Sequence, residues 1–212
     1  MSIKTYAMLT YHIWYYNEEI KNISMLKSLI LQVWFLLTAP FHRKLVTHRY
    51  KTVHHIDYVA LKNRGVVLLI FDLDDTLTGW QTTIPKNTLQ LFQKIQRVPG
   101  FSIAILSNTT RRRIRSVTKD LSDNIIILRA PSKPMVKGYL ELTSQHNITP
   151  DKAAMIGDRL ATDMWGAKRA GITTRILVEP YSKYVKGKMS SFVFIQKVVR
   201  HLEKFLNGHY FR

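Results

Sequence analysis

The chain has no cysteine. Disulfides and thiolate metal sites are therefore excluded, and the composition fits a reducing compartment. Acidic residues are scarce: 14 Asp and Glu against 32 Lys and Arg leave a formal net charge of +18. An excess of that size selects anionic partners, whether a phosphorylated substrate, acidic phospholipid or nucleic acid. No recognised nucleic-acid-binding motif accompanies it, so nucleic acid is the less favoured of the three. The eight histidines lack metal-ligand spacing, and His54-His55 reads as ordinary surface. Internal repeats and low-complexity segments are absent. So is an apolar run of bilayer length. Ser28 to His42 carries no formal charge, yet fifteen helical residues reach about 22 Å against a bilayer core of about 30 Å.

That uncharged segment is nonetheless rich in Leu, Ile, Trp and Phe, and it is bounded by Lys27 and by Arg43-Lys44. It is expected to form an interfacial helix anchored by its flanking cations; the alternative is a helix packed on the domain that follows. Glu18 and Glu19 precede it and no clear cleavage site follows, which disfavours a secretory signal. The expected organisation is an N-terminal aromatic and apolar extension over 1–42 and a main domain over 43–212. The expected location is peripheral, on the cytoplasmic or mitochondrial matrix side of a membrane, and not secreted. Cutting away residues 1–40 is expected to weaken vesicle binding while sparing the action of the remaining domain on a small soluble ligand.

From Val66 onward, apolar strands alternate with helices expected near 86–96, 111–121, 135–146, 160–170 and 193–206. Alternation of this kind implies right-handed crossovers and an α/β, doubly wound, Rossmann-like parallel sheet. Such sheets bind ligands at the carboxyl ends of their strands, and four strand ends here carry polar groups in a fixed order. Val66-Val67-Leu68-Leu69-Ile70 runs into Phe71-Asp72-Leu73-Asp74-Asp75-Thr76. Phe101 to Leu106 ends in Ser107-Asn108-Thr109. Lys133-Pro134 follows the short strand 124–128. Ala153-Ala154-Met155-Ile156 ends in Gly157-Asp158, with Asp163 five residues on. A lone Asp-x-Asp arises by chance; four pieces in this order at strand ends are specific.

The residue types suit phosphoryl transfer. Asp72 can attack phosphorus to give an aspartyl-phosphate. Asp74, two residues on, can protonate the leaving oxygen and then deprotonate a water. Asp72 and Asp158 through their carboxylates, and Asp74 through its backbone carbonyl, offer hard oxygen ligands to magnesium. Ser107 can donate to a phosphoryl oxygen, and Lys133 can neutralise developing charge. Asn108, Arg111 and Arg112 follow the second motif and are expected at the substrate. Of the arginines at 111–113, at least one must face solvent, because a helix cannot turn all three to one side.

These motifs resemble the haloacid dehalogenase superfamily. Lys133-Pro134-Met135, Ile156 to Asp163 and Ala167 to Gly171 resemble its small type IIIA phosphatases (YqeG-like), which include phosphatidylglycerophosphate phosphatases. The resemblance covers about residues 40–205. It implies about five strands with the first one central. It also implies that Asp163 holds Lys133 or a metal-bound water, and that Thr76 partly caps its turn. Many relatives insert a lid domain after the first or second motif. Here neither 78–100 nor 109–132 has room for one, so no cap domain is expected. An open site suits a phosphate carried on something large. The expected activity is magnesium-dependent phosphomonoester hydrolysis on a phospholipid phosphate such as phosphatidylglycerophosphate. A phosphoprotein or polynucleotide-end phosphatase is the alternative, and a non-catalytic binding module the third class.

Overall fold

The computed structural model describes residues 27–28, 30–35, 37–38, 44–79, 83–129 and 133–181. The helix expected at 193–206 lies outside these residues. Six parallel strands form one sheet: β1 (His48–Tyr50), β2 (Leu68–Phe71), β3 (Ser102–Ser107), β4 (Ile126–Arg129), β5 (Ala153–Gly157) and β6 (Thr174–Val178), in the order β1-β6-β5-β2-β3-β4. This is one strand more than the five expected. The additional strand is β1, a three-residue His-Arg-Tyr segment paired only with β6. It has no alternating apolar pattern from which to read a strand, because an edge strand this short is defined by its partner's backbone.

Side chains along the inner strands alternate between two cores, as the period of two dictates. Leu69, Phe71, Ile103, Ile105, Ala154 and Ile156 face one core; Leu68, Ile70, Ala104, Leu106 and Met155 face the other. The first face is covered by α2 (Tyr58–Asn63), α3 (Lys86–Gln96) and α4 (Arg111–Thr118), through Leu61, Phe92, Ile95, Ile114 and Val117. The second is covered by α5 (Lys137–Gln145), α6 (Trp165–Arg169) and a helix α1, to which the described residues of 27–38 belong. These supply Tyr139, Leu142, Trp165, Ala167 and Phe35. A fully buried β2 explains its unbroken Leu-Leu-Ile-Phe.

From β2 the chain moves outward through β3 to β4, then returns to the other side of β2 for β5 and β6. The loops after β2 and β5 therefore diverge, which opens a crevice above the carboxyl end of β2. Seventy-two to 85 and 108–110, the connections that carry lids in capped relatives, hold no inserted domain. Among the described residues, no helix is long and apolar enough to cross a membrane.

Candidate active site

The end of β2 delivers Asp72 into the crevice, where its amide donates to the Ile156 carbonyl of β5 at 2.9 Å. Its backbone is thereby an extension of the ladder, fixed before any ligand arrives. The chain then turns sharply. Asp75 adopts a left-handed φ of 66°, a conformation that Asp tolerates better than most residues, and its amide donates to the Thr78 carbonyl at 2.7 Å.

Lys133 enters from the far side. Its Nζ lies 2.5 Å from Asp72 Oδ1 and 2.8 Å from Asp163 Oδ1, and all three residues are buried. The backbone of Lys133 is held as firmly. Asn108 Oδ1 accepts from its amide at 3.0 Å, and Asn108 Nδ2 donates to its carbonyl at 3.3 Å. Asn108, expected at the substrate, clamps the loop after β4 to the loop after β3. Ser107 is buried at the tip of β3 and its Oγ accepts from the Thr109 amide at 3.2 Å, which directs the hydroxyl proton away from the backbone.

Asp163 reaches the site by an unusual route. Residues Leu160–Met164 form a π-helical turn, in which the Met164 amide donates to the Arg159 carbonyl five residues back. The widened turn swings Asp163 under the end of β5, where its Oδ2 accepts from the Arg159 amide at 3.1 Å. The helix expected across 160–170 is thus two pieces, and the π turn is the piece that serves the site. Gly157 permits this approach. A Cβ there would lie 2.4 Å from Asp163 Oδ2 and 2.7 Å from Asp163 Cβ. Gly157→Ala is therefore expected to push Asp163 off Lys133, lowering the unfolding free energy measured in urea by about 1–3 kcal/mol and reducing turnover in parallel. An unchanged midpoint with full activity would show that Asp163 needs no such proximity.

Asp72, Asp158 and Asp163 each offer one carboxylate oxygen within 4.8 Å of the others. Thr76 Oγ1 lies 3.5 Å from Asp158 Oδ1, a long contact. Burial pushes the Asp72 carboxyl up to about 7. The Lys133 ammonium opposes that rise, while Asp163 and Asp74 add to it. Burial works against the Lys133 charge, but the two adjoining carboxylates outweigh it and hold its pKa above the usual lysine range. Tyr139, pressed against the same cluster, stays a neutral phenol: burial and then Asp163 and Asp72 raise it well above normal, and its hydroxyl donates to the Thr162 carbonyl at 2.7 Å. Carboxylate oxygens clustered in this way are a candidate site for a hard divalent ion, with Asp163 already engaged by Lys133.

Asp74 points elsewhere. Arg113 donates to its Oδ1 from Nε at 3.3 Å and from Nη2 at 3.1 Å, and Nη2 also reaches the Gly79 carbonyl at 3.1 Å. Arg111 and Arg112, expected at the substrate, are exposed, and it is Arg113 that turns inward. The phase of α4 decides this. Ile114 and Val117 face the core, and Arg113 lies four residues before Val117, on the border of that face. That spacing was the available signal.

Three comparisons bear on the arrangement. A family model for haloacid dehalogenase-like hydrolase matches residues 80–171. The chain is 31% identical over 156 residues to "Probable phosphatase YqeG" of Bacillus subtilis, covering 73% of this chain and 84% of that protein. It is 28% identical over 160 residues to "Phosphatidylglycerophosphate phosphatase 1, chloroplastic/mitochondrial" of Arabidopsis thaliana, covering 72% of this chain and 44% of that protein, less than half its length. A crystal structure of an uncharacterized protein from Listeria monocytogenes serotype 4b aligns with 68% of this chain and 99% of its own, at 22% identity and a TM-score of 0.47.

Proposed function

Because this chain belongs to the haloacid dehalogenase-like hydrolases and is a phosphatase of that family, we propose that it hydrolyses a phospholipid phosphate monoester through an aspartyl-phosphate on Asp72, with magnesium. The observation that carries the chemistry is the Lys133 ammonium wedged between Asp72 and Asp163 at the end of the central strand. Lys133 holds Asp72 by Oδ1, and the second carboxylate oxygen attacks phosphorus. The bond from phosphorus to the alcohol oxygen breaks, and Asp74 gives that oxygen a proton. Arg113 grips Asp74 by Oδ1 and so turns Oδ2 toward the leaving group. Asp74 then takes a proton from water as the water oxygen attacks phosphorus, releasing inorganic phosphate and restoring Asp72. Ser107 donates to a phosphoryl oxygen. The Asp72 and Asp158 carboxylates and the Asp74 backbone carbonyl would hold magnesium. When bound there, it supplies charge neutralisation to the phosphoryl group and keeps Asp72 ionised.

Three features support a lipid substrate: the absence of a lid, the basic excess, and an apolar surface on α1. Ile30, Trp34 and Leu37 of α1 are 58%, 58% and 71% exposed, and Lys27 on the same helix is exposed as well. Likeness to the plant phosphatidylglycerophosphate phosphatase points the same way. The expected result is phosphate release from phosphatidylglycerophosphate in mixed vesicles faster than from phosphatidic acid, phosphotyrosine peptide or nucleotide. It should stop with chelator and return with magnesium. Preference for the peptide or for nucleotide would replace the lipid reading with the phosphoprotein or polynucleotide-end alternative. Full turnover in excess chelator would remove the metal.

A further inference from the structure

The two faces of α1 meet different surroundings: the inward face mixes polar and apolar residues, with Leu31 and Phe35 on the core, and the outward face is largely apolar. Ser28, Gln32 and Phe35, spaced by four and then three residues, are buried against the domain. Ser28 Oγ donates to the Lys133 carbonyl at 2.5 Å. Gln32 Oε1 accepts from Arg159 Nη2 at 3.2 Å, and Gln32 Nε2 donates to Ser28 Oγ at 3.1 Å. Phe35 packs on Trp165 with ring centroids 5.5 Å apart. One short helix thereby touches the backbone of the lysine beside Asp72 and the residue next to Asp158. Its opposite side bears Ile30, Val33, Trp34 and Leu37, all exposed.

We infer that α1 couples an anionic phospholipid surface to the placement of Lys133, so that adsorbed enzyme turns over faster than dissolved enzyme. The inference rests on the lipid-surface reading above. Its occupant is set by charge: a chain of net charge +18 with a lysine on this helix complements an anionic bilayer, and Trp34 suits the headgroup boundary. The sign of the coupling follows from helix physics. A helix of about a dozen residues is marginal in water. Ser28 and Gln32 share a face only when the segment is helical. Adsorption buries Ile30, Trp34 and Leu37 together under the same condition. Two events that require one conformation favour each other, and by the same factor in each direction. Ser28 and Gln32 act as positioning residues; neither touches the reacting atoms. Removal of residues 1–40, expected from the sequence to spare soluble hydrolysis, instead takes away a support of Lys133 and lowers it.

The test uses the full chain with magnesium and p-nitrophenyl phosphate, a soluble ester, with and without vesicles of phosphatidylcholine and phosphatidylserine in equal parts. Vesicles are expected to raise kcat on the order of fivefold or more, with KM nearly constant. In Trp34→Ser/Leu37→Ser the ratio of rates with and without vesicles falls to one. Ser28→Ala and Gln32→Ala still sediment with vesicles, but their kcat stays low in both conditions, and Ser28→Thr recovers it. Beryllium fluoride with magnesium, which mimics a phosphoryl group on Asp72, tightens vesicle binding, and vesicles tighten beryllium fluoride binding by the same factor. Vesicle binding with no change in kcat would overturn the coupling and leave the membrane reading standing. Failure to bind vesicles at all, including through pairing of two copies at this face, would overturn both.

Discussion

Asp72→Asn is expected to lower turnover by on the order of ten-thousandfold or more while leaving a folded protein. The amide keeps the shape of the carboxylate and can still accept from Lys133, but it cannot attack phosphorus. Stability should hold or rise. Burial already disfavours the ionised form of Asp72, and the substitution replaces it with a neutral group, leaving Lys133 paired with Asp163 at 2.8 Å. Beryllium fluoride should label the native protein at Asp72 and should not label the variant. A well-folded Asp72→Asn protein with near-native turnover would end the covalent mechanism.

Lys133→Met is expected to damage both function and fold. Removing the ammonium leaves Asp72 and Asp163 buried beside each other with no protein cation between them, and breaking a buried pair costs about 3–5 kcal/mol. Loss of the charge at the phosphoryl group lowers turnover by on the order of a hundred- to thousandfold. The stability cost carries a pH signature measured without metal. Asp72 has a folded pKa raised from 3.8 to about 7, so its protonated form supports the fold below the unfolded value. That support is lost as pH rises through the folded value. Without Lys133, which pulls that pKa down, the window extends to higher pH. The gap between native and variant urea midpoints should therefore be smaller at about pH 5 than at about pH 8. A gap independent of pH would mean that Lys133 stabilises by packing alone.

What could be read from the residues divides along physical lines. The central strand was legible because a strand covered on both faces must be apolar throughout, and β2 is. Asp72, Asp158 and Asp163 were legible because each follows such a strand within a few residues. Lys133 was legible only through its order in the set. Arg113 was missed in favour of Arg111 and Arg112, since its direction depends on how Ile114 and Val117 seat against the sheet. The hold of Asn108 on the Lys133 backbone was not legible, because it joins two loops that lie 25 residues apart. The Gly166–Tyr139 contact, where a Cβ would stand 2.7 Å from the phenol oxygen, left no trace in any local pattern. The 28–42 segment was legible as apolar, but which face turns inward is set by the Lys133 carbonyl and Arg159, far away in sequence. Contacts of that kind belong to the tertiary structure and have no local period.

The pairing of β1 with β6 has a consequence for synthesis. His48 finds its register partner, Ile176, 128 positions later (176 minus 48), and α1 waits for partners at Lys133, Arg159 and Trp165. At typical elongation rates the ribosome needs roughly 6–26 s to deliver the missing strand. Until Lys133, Arg159 and Trp165 have emerged, α1 has no docking surface, and its Trp34 and Phe35 are open to whatever is nearby. A nascent chain stalled before residue 133 should therefore display an α1 segment that is sensitive to protease and adheres to lipid, and release of the full length should protect it.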